Sequence, residues 1–181
     1  MRLFIALDIP AEIRARLTEY MERARLLAPE AHWARVEGLH VTLKFIGHVD
    51  DAAVGKIKTA LAPIKASLFE VKFSSVGFFP NPNAGRVFWA GVDGGDSLPK
   101  LASTVDAAME KLGFPLESKP YHPHLTLART SSRPLRELKP LLADEPPPQF
   151  GTMTARDFFL YQSQPQKGGS KYTKLKRFQL E

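Results

Sequence analysis

The 181-residue chain reads as an α+β fold with two similar lobes. Three observations carry that reading. Strand-like and helix-like segments are interspersed along the chain. Each half runs through a strand, an amphipathic helix and a strand bearing His-x-Thr-Leu, within "GLHVTLKFIG" (Gly38 to Gly47) and "YHPHLTLAR" (Tyr121 to Arg129). The Gly/Pro stretches are loop-length and not linker-length, so residues 1–181 are expected to form a single bilobal domain. The likeness of the halves is confined to short motifs, which makes duplication an inference and not an observed repeat.

The elements follow in order. "RLFIALD" (Arg2 to Asp8) is a short apolar strand closed by Pro10, and after it Ile13, Leu17, Tyr20, Met21 and Ala24 mark one stripe of a helix. "LHVTLKFI" alternates with period two, which puts His40, Thr42 and Lys44 on one face and Val41, Leu43 and Phe45 on the other. Asp50 or Asp51 caps a second helix with Val54, Ile57, Leu61 and Ile64 on its stripe, and Pro63 ends or kinks it. "FEVKFSSVGFF" and "RVFWAGV" are strands flanking the turn-rich "PNPNAG" (Pro80 to Gly85). Leu98, Leu101, Val105, Met109 and Leu112 define a third helix, stopped by Gly113 and Pro115. "HLTLAR" is the second motif strand; a short helix over Leu135 to Leu142, the loop "DEPPPQ", and strands at "ARDFFLYQS" and "YTKLKRFQL" separated by "PQKGGS" complete the chain.

Composition narrows the function classes. With 44% hydrophobic and 24% charged residues the chain can pack an interior and keep a solvated surface. There is no cysteine, which removes disulfides, thiolate metal sites and a cysteine nucleophile and suits a reducing compartment. The first apolar run is short and broken by Asp8, and no run approaches the roughly 20 residues needed to cross a bilayer, so a cytoplasmic protein without membrane contact is expected. A net charge of +6 and a pI near 9.6 favour polyanionic partners.

The His-x-Thr units carry the chemistry. Residues two apart on a strand point the same way, so each unit brings an imidazole and a hydroxyl together. Imidazole transfers protons near neutral pH, and threonine donates a hydrogen bond to an oxyanion. Two such strands across a cleft suit displacement at phosphorus, where attacking and leaving oxygens lie on opposite sides and each needs a proton transfer. Neutral imidazole takes the proton of water, imidazolium protonates the departing alkoxide, and the threonines with a cation such as Arg129 hold the non-bridging oxygens. A single His-x-Thr is usually decoration of a strand; two with matching apolar flanks weigh against coincidence.

Other groups are read alongside. "HPH" (His122 to His124) offers metal-ligand chemistry without a standard zinc spacing, so no metal and no cofactor are expected. His32 and His48 are taken as solvated loop residues. Strict alternation from His124 would turn Arg129 to the far face, unless a bulge or the strand's end redirects it. Trp33, Phe78 and Phe79 fall in or near loops and are candidates for stacking on a base, against the commoner role of aromatic residues in packing. Lys171, Lys174, Lys176 and Arg177 form a basic run that is either a solvated strand face or an attractor for an RNA backbone.

At these residues the sequence resembles the 2H phosphoesterase superfamily, most closely its RNA 2',3'-cyclic phosphodiesterase branch, also described as 2'-5' RNA ligase. "RLFIALDIP", "LHVTLKFIG", "GRVFWAGV", "HPHLTLAR" and "YTKLKRFQL" carry the resemblance, which covers nearly the whole chain. It implies a bilobal α+β fold in which two antiparallel sheets flank a central cleft, with helices outside. It implies metal-independent hydrolysis of a ribose 2',3'-cyclic phosphate to a 2'-phosphomonoester, with reversible ligation of RNA ends as a secondary activity. By the same resemblance His40 is the proton donor to the leaving 3'-oxygen, His124 the proton acceptor from water, and Thr42, Thr126 and Arg129 the phosphate ligands. The expected partner is RNA with cyclic phosphate ends, tRNA fragments among them, bound by a monomer. Two alternatives stand beside this: a cyclic phosphodiesterase acting on a small nucleotide or ADP-ribose derivative, and a non-catalytic basic RNA-binding module.

Overall fold

The computed structural model describes residues 1–181. In chain order its elements are β1 (Arg2–Leu7), α1 (Ala11–Arg25), β2 (His32–Trp33), β3 (Val41–His48), α2 (Asp51–Leu61), β4 (Phe69–Phe79), β5 (Val87–Asp93), α3 (Ser97–Glu110), β6 (His124–Arg129), β7 (Gln149–Ala155), β8 (Asp157–Gln166) and β9 (Gly169–Gln179). They build two antiparallel sheets, in the orders β3-β1-β8-β9 and β2-β6-β5-β4-β7. The α+β reading holds. The two motif strands occupy corresponding places, since β1 and β3 pair across an intervening α1 just as β5 and β6 pair across α3.

Apolar spacing explains the helices. Ile13, Leu17, Tyr20, Met21 and Ala24 form the buried stripe of α1, and Val54, Ile57 and Leu61 that of α2. The Asp50 carboxylate caps α2 by accepting from the Ala53 amide at 2.8 Å, and Pro63 falls beyond its end. α3 buries Leu98, Leu101, Val105 and Met109; Leu112 lies past its end, before Gly113 with φ of 90°. α1 packs on β7 and α3 on β3, so each helix leaves the sheet of its preceding strand and covers the other.

One core cluster of 40 buried residues draws side chains from both sheets and all three α-helices. β1 separates two environments by alternation: Leu3, Ile5 and Leu7 belong to that core, while Phe4 and Ala6 join Tyr161 in a small cluster on the opposite face.

Four segments differ from expectation. β7 runs mostly through residues 150–154, to which the sequence assigned no element; its sequence "QFGTMTA" has only Phe150 and Ala155 buried, too weak an alternation to announce an edge strand after three prolines. His32 and Trp33 form β2, a two-residue strand against β6. Residues 136–143 are a 3₁₀-helix with Pro140 inside it, which breaks the hydrogen bonding that an α-helix needs. β8 and β9 extend into "PQKGGS", leaving only Lys167 and Gly168 as the turn between them, with Gly168 at φ of 81°. His48 ends β3, exposed, and does not lie in a loop.

Candidate active site

β3 and β6 are disrupted at the same point. Ile5 pairs with Lys44 and Ala6 with Thr42, which leaves Leu43 without a partner; Phe88 pairs with Ala128 and Trp89 with Thr126, which leaves Leu127 without one. Such a bulge resets the alternation of the strand. In β6 the reset returns Arg129 to the face of His124 and Thr126, the redirection that simple alternation denied. In β3 it reverses two assignments: Lys44 turns inward and is 3% exposed, while Phe45 is 60% exposed and lines the cleft.

That cleft, of about 810 Å³, is lined by His40, Thr42, His124, Thr126 and Arg129 together with Tyr121, His122 and Tyr172. The sequence-predicted pair of motifs is thus brought to one space. Both imidazoles are anchored alike: His40 Nδ1 lies 2.7 Å from the Gly38 carbonyl and His124 Nδ1 2.7 Å from the His122 carbonyl, in each case the residue two before. A carbonyl only accepts, so Nδ1 carries the proton and Nε2 is the atom left to titrate, with no protein partner on either ring.

Burial is the largest influence on both rings. It pushes the His40 pKa down to about 4, against the Gly38 carbonyl, which favours the charged form, and with help from the Arg14 guanidinium. His124 is lowered in the same way, by burial first and then by His122 and Arg129, with the His122 carbonyl opposing. Both imidazoles are therefore neutral in the free protein at pH 7. An anion between them would reverse part of this by favouring imidazolium.

Aromatic rings hold the imidazoles. Phe4 stacks on His40 at 4.4 Å and 28°, Tyr172 meets the same ring edge-on at 5.2 Å, and Phe79 meets His124 edge-on at 4.9 Å. The Tyr121 hydroxyl donates to the Thr42 carbonyl at 2.9 Å, which ties the segment before His124 directly to the first motif strand. Lys44 makes a second tie, donating to Asp106 at 2.5 Å and to the Pro115 carbonyl at 2.8 Å. Arg14, on α1, donates to Asp8 at 2.6 Å, to the Leu39 carbonyl at 3.0 Å and to the Val36 carbonyl, fixing the turn that presents Gly38 to His40. Burial alone would raise the Asp8 pKa, but the hydrogen bond and charge of Lys174 and the charge of Arg14 outweigh it and hold the carboxyl below its usual range.

Sequence reasoning did not single out Arg14, Tyr121 or Phe4. Tyr121 stands next to the second motif, the one signal available; Arg14 and Phe4 act through contacts that only the fold creates.

Two stacking candidates lie away from the cleft. Phe78 is 5% exposed, packed in the core against Phe88 and Gly85. Trp33 is half-buried, its ring edge-on to Phe88 and its indole N–H donating to the Ala28 carbonyl at 2.8 Å. Neither lines the cleft, because packing has claimed both rings. Phe79 buttresses His122 and His124. Of the basic run, Lys174 pairs with Asp8 and lies 4.2 Å over Phe159, and Arg177 pairs with Asp157 at 2.7 Å; Lys171 and Lys176 are exposed. No group of three His, Asp or Glu side chains is placed to hold a metal ion, and no helix is long and apolar enough to cross a membrane.

Two half-buried imidazoles with matched anchors, two threonines and an arginine thus line one cleft, the arrangement expected of a phosphoesterase of the two-histidine class. The chain belongs to the LigT like phosphoesterase family, whose profile matches residues 7–89 and 92–172. It is 34% identical to an Archaeoglobus fulgidus protein named RNA 2',3'-cyclic phosphodiesterase, over 99% of this chain and 100% of that one. An Escherichia coli protein of the same name is 31% identical over 99% of this chain and 96% of that one. Among solved structures, E. coli LigT complexed with 3'-AMP matches with a TM-score of 0.82 and 30% identity, covering 99% of this chain and 97% of that one.

Proposed function

We propose that this protein hydrolyses 2',3'-cyclic phosphate ends of RNA to 2'-phosphomonoesters. The observation that carries the reading is the matched pair of imidazoles, each with Nδ1 on a carbonyl two residues back and Nε2 unpaired, lining one cleft. His124 Nε2 accepts a proton from water as the water oxygen bonds to phosphorus; the bond from phosphorus to the 3'-oxygen breaks, and His40 Nε2 delivers its proton to that oxygen. Thr42, Thr126 and Arg129 hold the non-bridging oxygens through the transition state. Binding of the phosphate anion loads the His40 proton, and the burial that disfavours imidazolium makes that proton easy to transfer.

The relatives, each named RNA 2',3'-cyclic phosphodiesterase, support the cyclic phosphate as substrate, and the net charge of +6 supports RNA as its carrier. Residues 1–181 act as one bilobal domain and as a monomer, in the reducing, cytoplasmic setting that a chain without cysteine suits, on RNA fragments including those of tRNA. The test is the pH profile of kcat/KM. A base that must be neutral and an acid that must be charged give a bell. His124→Ala removes the acidic limb with most of the rate; a wild-type profile flat across about five to nine in pH, with chemistry rate-limiting, overturns the mechanism.

A further inference from the structure

We propose that Phe45, with Arg2, forms a subsite for the second nucleotide of the RNA end, the one joined to the nucleoside that carries the cyclic phosphate, its base stacking on the Phe45 ring and its own 5'-phosphate meeting Arg2. The inference rests on the reading above and adds to it recognition of a second nucleotide.

The two motif strands supply the first observation. His, Thr, an unpartnered Leu and then a cleft-facing residue two further on occur in both, and that last residue is Arg129 in β6 and Phe45 in β3. One copy offers a cation to the phosphate, and the other offers an aromatic face at the corresponding place. Exposure supplies the second. Val41 and Leu43 on the same strand are 0% and 3% exposed, whereas Phe45 is 60% exposed in the cleft, its ring tilted 47° against Phe4 at 6.2 Å. Packing within the fold leaves most of that ring uncovered.

Charge supplies the third. Arg2 lies two residues before Phe4 on one face of β1, and Phe4 is the cross-strand partner of Phe45. Arg2 and Lys119 both line the cleft and make no ion pair or hydrogen bond, while Lys44, Lys174 and Arg177 are all committed to carboxylates. Along the face of the first sheet the order is His40, Thr42, Phe45, Arg2, matched in the proposal to the reacting phosphate, the base of the second nucleotide and that nucleotide's 5'-phosphate. An exposed aromatic flanked by unpaired cations is the combination that binds single-stranded nucleic acid.

The test compares kcat/KM for a nucleoside 2',3'-cyclic phosphate and for a 5'-phosphorylated dinucleotide ending in the same group. The wild type is expected to favour the dinucleotide by about tenfold, Phe45→Ala to bring that ratio close to one, and Phe45→Trp to keep it. Arg2→Gln lowers the ratio at low salt more than at high salt. A wild type indifferent to the second nucleotide, or a ratio unchanged in Phe45→Ala, overturns the subsite and leaves the hydrolysis standing. If neither substrate is turned over, the hydrolysis reading fails. Titration of a dinucleotide 2'-phosphate then decides the subsite: about tenfold weaker binding by folded Phe45→Ala supports it, and equal affinity overturns it.

Discussion

His40 is where burial and chemistry meet. Its folded pKa of about 4 lies below the ordinary value of 6.5, so between these two values the unfolded chain binds a proton that the fold refuses. Stability from this group is full above pH 6.5 and is lost as pH falls toward 4, by about 3 kcal/mol at most. Denaturant unfolding at several pH values checks this: the acid-side loss should be visibly smaller in His40→Gln than in the wild type, and equal slopes would contradict it. The same depressed pKa means that inorganic phosphate should bind with proton uptake near neutral pH, and more tightly as pH falls; calorimetry in buffers of different ionisation enthalpy reads this directly. The histidines and threonines were legible in the sequence because a two-residue repeat is a local property of a strand. Their anchors were not: that His40 and His124 each bond the carbonyl two residues back depends on turns that nothing in the motif announces.

At the scale of elements, the bulges at Leu43 and Leu127 decide which side chains reach the cleft. Register belongs to a pair of strands and not to one, so strict alternation placed Arg129, Lys44 and Phe45 on the wrong faces, and the resemblance alone favoured a redirected Arg129. Strong stripes made α1, α2 and α3 readable, whereas β2 and β7 are a two-residue pairing and a weakly alternating edge, both formed by what lies beside them. The inward turn of Lys44 has a stability consequence. Removing it leaves Asp106, itself only 16% exposed, without its cation, so Lys44→Ala should cost about 3 kcal/mol and Lys44→Met less, measured by thermal or denaturant unfolding. Tyr121→Phe removes the donor to the Thr42 carbonyl at a stability cost of about 1 kcal/mol. Because that bond sets the spacing of the two motif strands, the variant should lose kcat more than it changes KM; an unaltered kcat would show that the strands keep their spacing without it.

The whole molecule places two sheets so that corresponding strands present corresponding motifs, with one core tying them together. This level was legible in outline, since two copies of His-x-Thr-Leu implied two similar lobes; the crossing of α1 and α3 to the opposite sheets was not, because helix stripes say what is buried and not against what. The excess of positive charge is a property of the same scale. If RNA and not a small nucleotide is the substrate, kcat/KM for an oligonucleotide should fall with added salt more steeply than for a mononucleotide, and parallel slopes would count against RNA. The most direct measurement is turnover of an RNA oligonucleotide ending in a 2',3'-cyclic phosphate, with excess EDTA, by the wild type, His40→Ala and His124→Ala, with the product phosphate located. Conversion to the 2'-phosphate by the wild type, lost in both folded variants, is the result expected of paired imidazoles on one phosphorus. Activity that survives either substitution, or a 3'-phosphate product, would contradict it.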